Sequence, residues 1–357
     1  MILKRKSFLD VLINIVSLKL MKNLTFEALK ALINIPKRVA IIPHINPDGD
    51  AIGSSLGLSN YLVQKKHNVR VISPNNYPDF LKWIPGTDKI INYDSHPKEA
   101  SEFLNKIDII FTLDFNSLNR CGEIKHIIEN TTAIKIMIDH HEQPQEYADY
   151  IYSDTKMGST CEMIYHFIER LGDGKMINKE IGTALYTGIM TDTASFRFPK
   201  TSPTTHRVVA TLIENGVNHS KIHNNIYDNN SVEKLKLIGI ALNNLRLIDS
   251  NASFITLSQS ELDQCAYKKG DTEGLVNYGL SIKGVKLTAI FIENKEEEII
   301  KISLRSKGNI DVNQIAKKYF NGGGHKNASG GKSYDSIENT VNLFKSIVSS
   351  HKDLLND

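Results

Sequence analysis

Four short apolar runs in this chain are each followed by aspartate or histidine, and that pattern constrains the fold more than any other feature. Val39-Ala40-Ile41-Ile42 leads into His44-Ile45-Asn46-Pro47-Asp48-Gly49-Asp50. Ile109-Ile110-Phe111-Thr112-Leu113 ends at Asp114, and Ala133-Ile134-Lys135-Ile136-Met137-Ile138 ends at Asp139-His140-His141. Asp192 follows the apolar helical stretch Ala184–Met190. Runs this short and this apolar read as strands buried on both faces, the signature of a parallel sheet. In open α/β sheets, sites form outside the carboxyl ends of the strands. A single Asp at a strand end is usually a turn or cap residue; four such segments together are hard to explain that way. Aspartate with a minority of histidine is the donor set of a hard, Mn²⁺- or Mg²⁺-like centre.

The rest of the pattern extends this reading. Predicted strands at Val39–Pro43, Val69–Ser73, Asp108–Leu113 and Ile134–Ile138 alternate with predicted helices at Asp50–Lys66, Ser159–Leu171, Lys179–Thr191 and Thr204–Asn215. That alternation predicts an α/β fold with a doubly wound, mainly parallel sheet. Ser231–Ile248 reads as a connecting helix. Strands are then predicted at Ala252–Leu257, Val285–Glu293 and Glu298–Arg305, the last two around a hairpin-type turn at Asn294-Lys295-Glu296-Glu297. Helices are predicted at Asp311–Phe320 and Ser336–Ser349, completing a smaller second α/β domain.

A length of 357 residues suits two domains. A hydrophobic share of 41% and a charged share of 23% are those of a soluble globular chain. The net charge of +3 argues against coating long nucleic acid by bulk charge. Three scattered cysteines, Cys121, Cys161 and Cys265, suggest a reducing, cytoplasmic setting without a disulfide framework. Residues 1–20 are too short and too polar in their apolar run to span a bilayer and lack a cleavage signal. They read as a non-functional leader, with 21–228 a catalytic domain, 229–250 a helical linker and 251–357 a substrate-binding domain. No membrane association is expected.

The residues then resemble a known family. His44-x-x-Pro47-Asp48-Gly49-Asp50, Asp114 with Arg120-Cys121-Gly122, Asp139-His140-His141, Gly158-Ser159-Thr160-Cys161-Glu162 with Thr191-Asp192-Thr193, and Gly322-Gly323-Gly324-His325-x-x-Ala328-Ser329-Gly330 are similar to the motifs of the DHH–DHHA1 phosphoesterases. That family includes nanoRNase/pAp phosphatases and is related to RecJ nucleases. The resemblance implies two Mn²⁺ ions, with Mg²⁺ or Co²⁺ as substitutes. His44 and Asp48 would hold one, Asp50, His140 and Asp192 the other, and Asp114 would bridge them. His141 would sit at the scissile phosphate and Asp139 would orient a histidine. Arg305, Ser306, Gly322, Gly323, Gly324 and His325 would hold the far end of the substrate, and Arg120 a phosphate. The Gly-rich segment reads as a loop presenting bare N–H groups. The implied substrates are short single-stranded RNA, pAp or linear dinucleotides, cleaved between the two domains, with a homodimer left open.

Overall fold

The computed structural model describes residues 24–268 and 270–350. The expected leader, residues 1–20, lies outside the described residues. The chain divides between Asp228 and Asn229 into two compact units.

In the first unit, helix α1 (Phe26–Ile33) precedes strand β1 (Arg38–Ile42), helix α2 (Gly49–Gln64), β2 (Asn68–Ser73), β3 (Ile91–Asn92), α3 (Pro97–Leu104), β4 (Ile109–Leu113), α4 (Lys125–Asn130), β5 (Ile134–Asp139) and β6 (Tyr150–Ser153). Helices α5 (Thr160–Leu171), α6 (Lys179–Asp192), α7 (Pro203–Glu214) and α8 (His219–Tyr227) follow. The sheet runs β3-β2-β1-β4-β5-β6 and every pairing is parallel. Side chains alternate across it, as strand geometry requires. Val39 and Ile41 join Ile109 and Phe111 under α2, α5 and α6, while Ala40 and Ile42 join Ile110 under α3 and α4. Both faces are therefore covered, which explains the unbroken apolar runs. The strand order reverses direction between β1 and β4, so the crevice of a doubly wound sheet opens there.

Helices α2 and α6 approach unusually closely. A Cβ at Gly53 would lie 2.6 Å from the Ala184 carbonyl oxygen, and one at Gly188 would lie 2.2 Å from Cys161 Sγ and 2.8 Å from Asp50 Oδ1. Only glycine fits this seam. The seam draws the start of α2, with Asp50, onto the end of α6, with Asp192.

The second unit contains α9 (Val232–Asn243), β7 (Arg246–Ile248), β8 (Ala252–Leu257), α10 (Gln259–Gln264), α11 (Val276–Ser281), β9 (Leu287–Asn294), β10 (Ile299–Ser306), α12 (Val312–Tyr319), β11 (Gly323–His325), β12 (Ala328–Ser333) and α13 (Ile337–Ser350). Its sheet runs β11-β12-β10-β9-β8-β7, antiparallel except between β8 and β9. One face packs Phe254, Phe291 and Leu304 against α12 and α13, and the other packs Ile255 and Ile290 against α9, α10 and α11.

Two expectations change. The single helix expected over Ser231–Ile248 is α9 followed by the edge strand β7. The amide of Asn244, just past the helix, is engaged by the Thr256 carbonyl at 3.0 Å and Glu261 at 2.8 Å, which turns the chain back along β8. The Gly-rich segment is also a strand rather than a loop: β11 pairs with β12. Among the described residues, no helix is long and apolar enough to cross a membrane.

Candidate metal centre

The turn from β1 into α2 brings three candidate ligands to the crevice. Asp48 caps α2, its Oδ1 accepting the N–H groups of Asp50 and Ala51, each at 3.0 Å. Its Oδ2 is left on the side of His44, 3.8 Å from Nε2. One carboxylate thus fixes the turn with one oxygen and faces the site with the other. Nδ1 of His44 lies 2.8 Å from the Ile45 carbonyl. That acceptor places the ring proton on Nδ1 and the lone pair on Nε2, the tautomer a metal ligand needs. Nδ1 of His140, at the end of β5, lies 3.2 Å from the Met157 carbonyl and is set the same way.

Asp114 follows β4 with φ of 64°, a left-handed conformation that costs a non-glycine residue about 1 kcal/mol or more. The conformation aims its two oxygens apart. Oδ2 lies 3.4 Å from His44 Nε2, and Oδ1 lies 3.5 Å from His140 Nε2. His140 Nε2 also faces Asp192 at 3.4 Å and Asp50 at 3.9 Å. Among the groupings of possible ligands are His44 with Asp48 and Asp114, and Asp50 with His140 and Asp192. The carboxylate of Asp50 is braced by the first N–H groups of α5: Thr160 donates to Oδ2 at 2.6 Å and Cys161 to Oδ1 at 2.8 Å. The Thr160 hydroxyl donates to Asp114 Oδ1 at 3.0 Å, so one residue ties the two groups together.

The electrostatics call for a cation. Burial, then Asp114 and Asp192, push Asp50 well above the usual carboxylate range. Burial, helped by Asp48 and Asp114, lifts Asp192 to about 7. Asp192 also ends α6, where the helix dipole disfavours negative charge. Burial opposes charge on His140, yet Asp114, Asp192 and Asp50 outweigh it and raise the ring to about 10. Without an ion, protons on neighbouring histidines and the charge of Lys200 on Asp192 offset the carboxylates. The separations of 3.4–3.9 Å between the histidine nitrogens and the carboxylate oxygens are longer than those of ordinary hydrogen bonds. They suit donors that each reach about 2.1 Å to a shared hard ion. Carboxylate oxygen with imidazole nitrogen is also the right chemistry for such an ion, so these residues fit a divalent metal pair.

Asp139 and His141 form a separate pair behind Asp114. Asp139 Oδ1 lies 2.7 Å from His141 Nδ1, and Oδ2 accepts the His141 N–H at 3.1 Å. Burial, then the positive charge of Arg120, hold the His141 ring well below its ordinary range. It is neutral at pH 7, with its proton on the Nδ1 that Asp139 engages. A nearby anion would raise its proton affinity. Arg120 is near enough for its charge to act on His44, His141 and Asp139, and its carbonyl accepts the Ile45 N–H at 2.7 Å.

In the second unit, Arg305 and His325 both pair with Ala328 across adjacent strands. They therefore share one face of the sheet, with only a methyl group between them. Ser306 turns to the other face, where its hydroxyl donates to the Ile310 carbonyl at 2.6 Å and accepts from Asn327 at 2.9 Å; it holds the loop and does not face the Arg305 side. The glycines answer to close packing. A Cβ at Gly322 would lie 2.0 Å from the Gly330 carbonyl oxygen, and one at Gly324, with φ of 147°, would lie 2.6 Å from that of Ala328. The Gly324 N–H is taken by Asn313 Oδ1 at 3.1 Å. Gly323 lies between them in the β11 ladder.

Thr160 stands in the quoted motif Gly158-Ser159-Thr160-Cys161-Glu162 but was given no role from sequence, and the Met157 carbonyl was not foreseen at all. The Ser159-Thr160 start of an apolar helix was the available signal, but it indicates only a cap.

Residues 38–189 match the DHH family N-terminal domain, and residues 254–350 match the DHHA1 domain. The chain is 30% identical to the bifunctional oligoribonuclease and PAP phosphatase NrnA of Thermus thermophilus, over 86% of each chain. It is 28% identical to the Bacillus subtilis protein of the same name, over 82% of this chain and 88% of that one. Among solved structures, an exopolyphosphatase-related protein from Bacteroides fragilis superposes with a TM-score of 0.89 at 38% identity, covering 93% of this chain and 97% of that one. Taken with a parallel sheet whose strand ends carry the Asp-His-His triplet, these matches establish that the chain belongs to the DHH family and carries a DHHA1 domain in its second unit.

Proposed function

We propose that this protein is a two-metal phosphoesterase, Mn²⁺-dependent, that hydrolyses short oligoribonucleotides to nucleoside monophosphates and removes the 3′-phosphate of pAp. The observation that carries the reading is Asp114, whose two oxygens face His44 and His140 separately, 3.4 and 3.5 Å away. When bound, a pair of divalent ions supplies Lewis acidity toward phosphoryl oxygens and acidifies water to near neutral pH. His44, Asp48 and Asp114 would hold one ion and Asp50, His140, Asp192 and Asp114 the other. Asp139 fixes the His141 tautomer, and His141 meets the phosphate. Arg120 supplies positive charge to the same group. Arg305 would grip a phosphate bidentately, with His325 beside it on the same sheet face. The similarity to proteins named oligoribonuclease and PAP phosphatase supports the substrate class.

The test is a panel of RNA dinucleotide and tetranucleotide, pAp, linear pApA and pGpG, and pyrophosphate, each with Mn²⁺, Mg²⁺ and Co²⁺. We expect turnover of short RNA and pAp with Mn²⁺ as the best ion. Exclusive turnover of pApA or pGpG would favour a dinucleotide phosphodiesterase. Exclusive turnover of pyrophosphate would overturn the nucleotide reading altogether.

A further inference from the structure

The second sheet is covered unequally. On the face that carries Ile290, helices α9, α10 and α11 pack over β8 and β9. The same face continues onto β10 and β12, where Ser303, Arg305 and Ala328 are half-buried and Lys301, Gly330 and Lys332 are exposed. Lys301, Ser303 and Arg305 alternate outward along β10, while Ile300, Ile302, Leu304 and Ser306 between them are buried. Across β12 the matching residues are Lys332, Gly330 and Ala328, so Lys301 opposes Lys332, Ser303 opposes Gly330, and Arg305 opposes Ala328. Gly330 and Lys332 are exposed.

This half-face has a definite chemistry. Arg305 stands at one end beside His325. Ser303 and Gly330 form a flat middle with almost no side-chain bulk. Two ammonium groups meet at the other end, four strand residues away, about 13 Å at the rise of a β-strand. Tyr334 stands beside them, 68% exposed, with Lys332 Nζ 5.3 Å from its ring centroid. Beyond the lysines the β9–β10 turn is net acidic: Glu296, Glu297 and Glu298 are all exposed beside Lys295, and Glu297 pairs with Lys301 at 2.6 Å. That pair is half-exposed on both sides, with side-chain exposures of 48% and 54%, and such pairs contribute little. A phosphate can displace the glutamate.

We propose that this half-face, exposed at its lysine end, is a track for the single-stranded oligonucleotide beyond the nucleotide gripped at Arg305. Lys301 and Lys332 take a backbone phosphate, Tyr334 stacks a base, and the Glu296–Glu298 turn repels any further phosphate and ends the track. The occupant is nucleic acid because the cations are spaced along an extended path with an exposed aromatic at its end, the combination single-strand binders use. The side chains are invisible as a tract in sequence because Lys301 and Lys332 come from different strands. The proposal rests on the reading of Arg305 and His325 as a substrate grip, and it supplies that reading with a physical length limit.

The experiment uses the full chain and two readouts. The first is the ratio of kcat/KM on a hexanucleotide to that on a dinucleotide. The second is binding of a labelled hexanucleotide in EDTA, which needs no turnover. For Lys301→Ala/Lys332→Ala we expect the ratio to fall and binding to weaken by roughly tenfold, and the log–log salt slope of binding to drop by about 0.7 for each phosphate that is no longer neutralised. Tyr334→Ala should weaken hexanucleotide binding by roughly fivefold or more. Glu296→Gln/Glu298→Gln should raise the ratio for a 12-mer. An unchanged ratio and unchanged binding in the lysine variant would overturn the track. So would equal losses on the dinucleotide and hexanucleotide with an unaltered unfolding midpoint. Binding that depends on the lysines, without hydrolysis of any RNA by the unmodified protein, would keep the track and overturn the proposed activity.

Discussion

At the scale of single residues, Asp114 and Thr160 carry the centre. Asp114→Ala removes the group facing both histidines, and we expect loss of both ions and a fall in kcat of about a thousandfold or more. Metal content measured beside activity checks this, since two retained Mn²⁺ ions with normal turnover would contradict the bridging role. Thr160→Val keeps the backbone N–H that braces Asp50 but deletes the hydroxyl that holds Asp114 Oδ1. Losses of about 10- to 100-fold in Mn²⁺ affinity are expected, in the range for residues that orient ligands. Titration with Mn²⁺ followed by calorimetry would show it. Away from the centre, Asp173 accepts from Tyr61 and Lys65, each at 2.6 Å. Burial works to raise Asp173, but Lys65 and Tyr61 outweigh it and hold its carboxyl below the ordinary value. A lowered folded value stabilises the protein above the unfolded carboxyl's pKa, and the gain disappears as pH falls through the folded one. Asp173→Asn should therefore destabilise the protein by about 1–2 kcal/mol at neutral pH, read from the urea midpoint and slope, and the difference should shrink as pH falls below the ordinary carboxylate range.

At the scale of elements, the α2–α6 seam explains why Asp50 and Asp192 meet. Gly188→Ala drives a methyl into Cys161 and the Asp50 carboxylate, so a destabilisation of about 1–3 kcal/mol should accompany loss of metal binding. Gly239, within α9, has open space around it. Gly239→Ala should stabilise by about 0.5–1 kcal/mol, and thermal denaturation of both variants distinguishes packing from propensity. The same elements show what was legible beforehand. Five of the six candidate ligands could be read because they follow the largely apolar central strands β1, β4 and β5, and the sixth, Asp192, because it ends the apolar helix α6. The edge strands β6 and β7 could not, because half-exposed strands lack that apolar signal. Neither could β11 and β12, whose glycines are depleted in strands and serve here to let backbones approach. Thr160 stood in a quoted motif, but its role could not be read because it depends on two contacts more than 45 positions away in the chain, at Asp50 and Asp114.

At the scale of the whole molecule, the six residues proposed as ligands, His44, Asp48, Asp50, Asp114, His140 and Asp192, all belong to the first unit, so metal binding should stabilise that unit specifically. At Mn²⁺ concentrations 100 times Kd the linkage contributes about 2.7 kcal/mol. Hydrogen exchange with Mn²⁺ and with EDTA should show slowed exchange in α2, α5, α6 and the strand ends beside them. Equal slowing across β8–β10 would mean that the two units respond as one. The order of those ligands along the chain has a consequence during synthesis. The central strands β1 and β4 emerge early, and the sheet can begin to form around them, but Asp192 arrives only with the end of α6. Domains fold as units as the chain emerges, the N-terminal one first. A ribosome-bound chain ending before α6 would thus expose a half-made acidic cleft. One that has released residue 192 can close around its ions while the second unit is still unmade, so the supply of metal, rather than completion of the polypeptide, sets when the nascent centre becomes permanent.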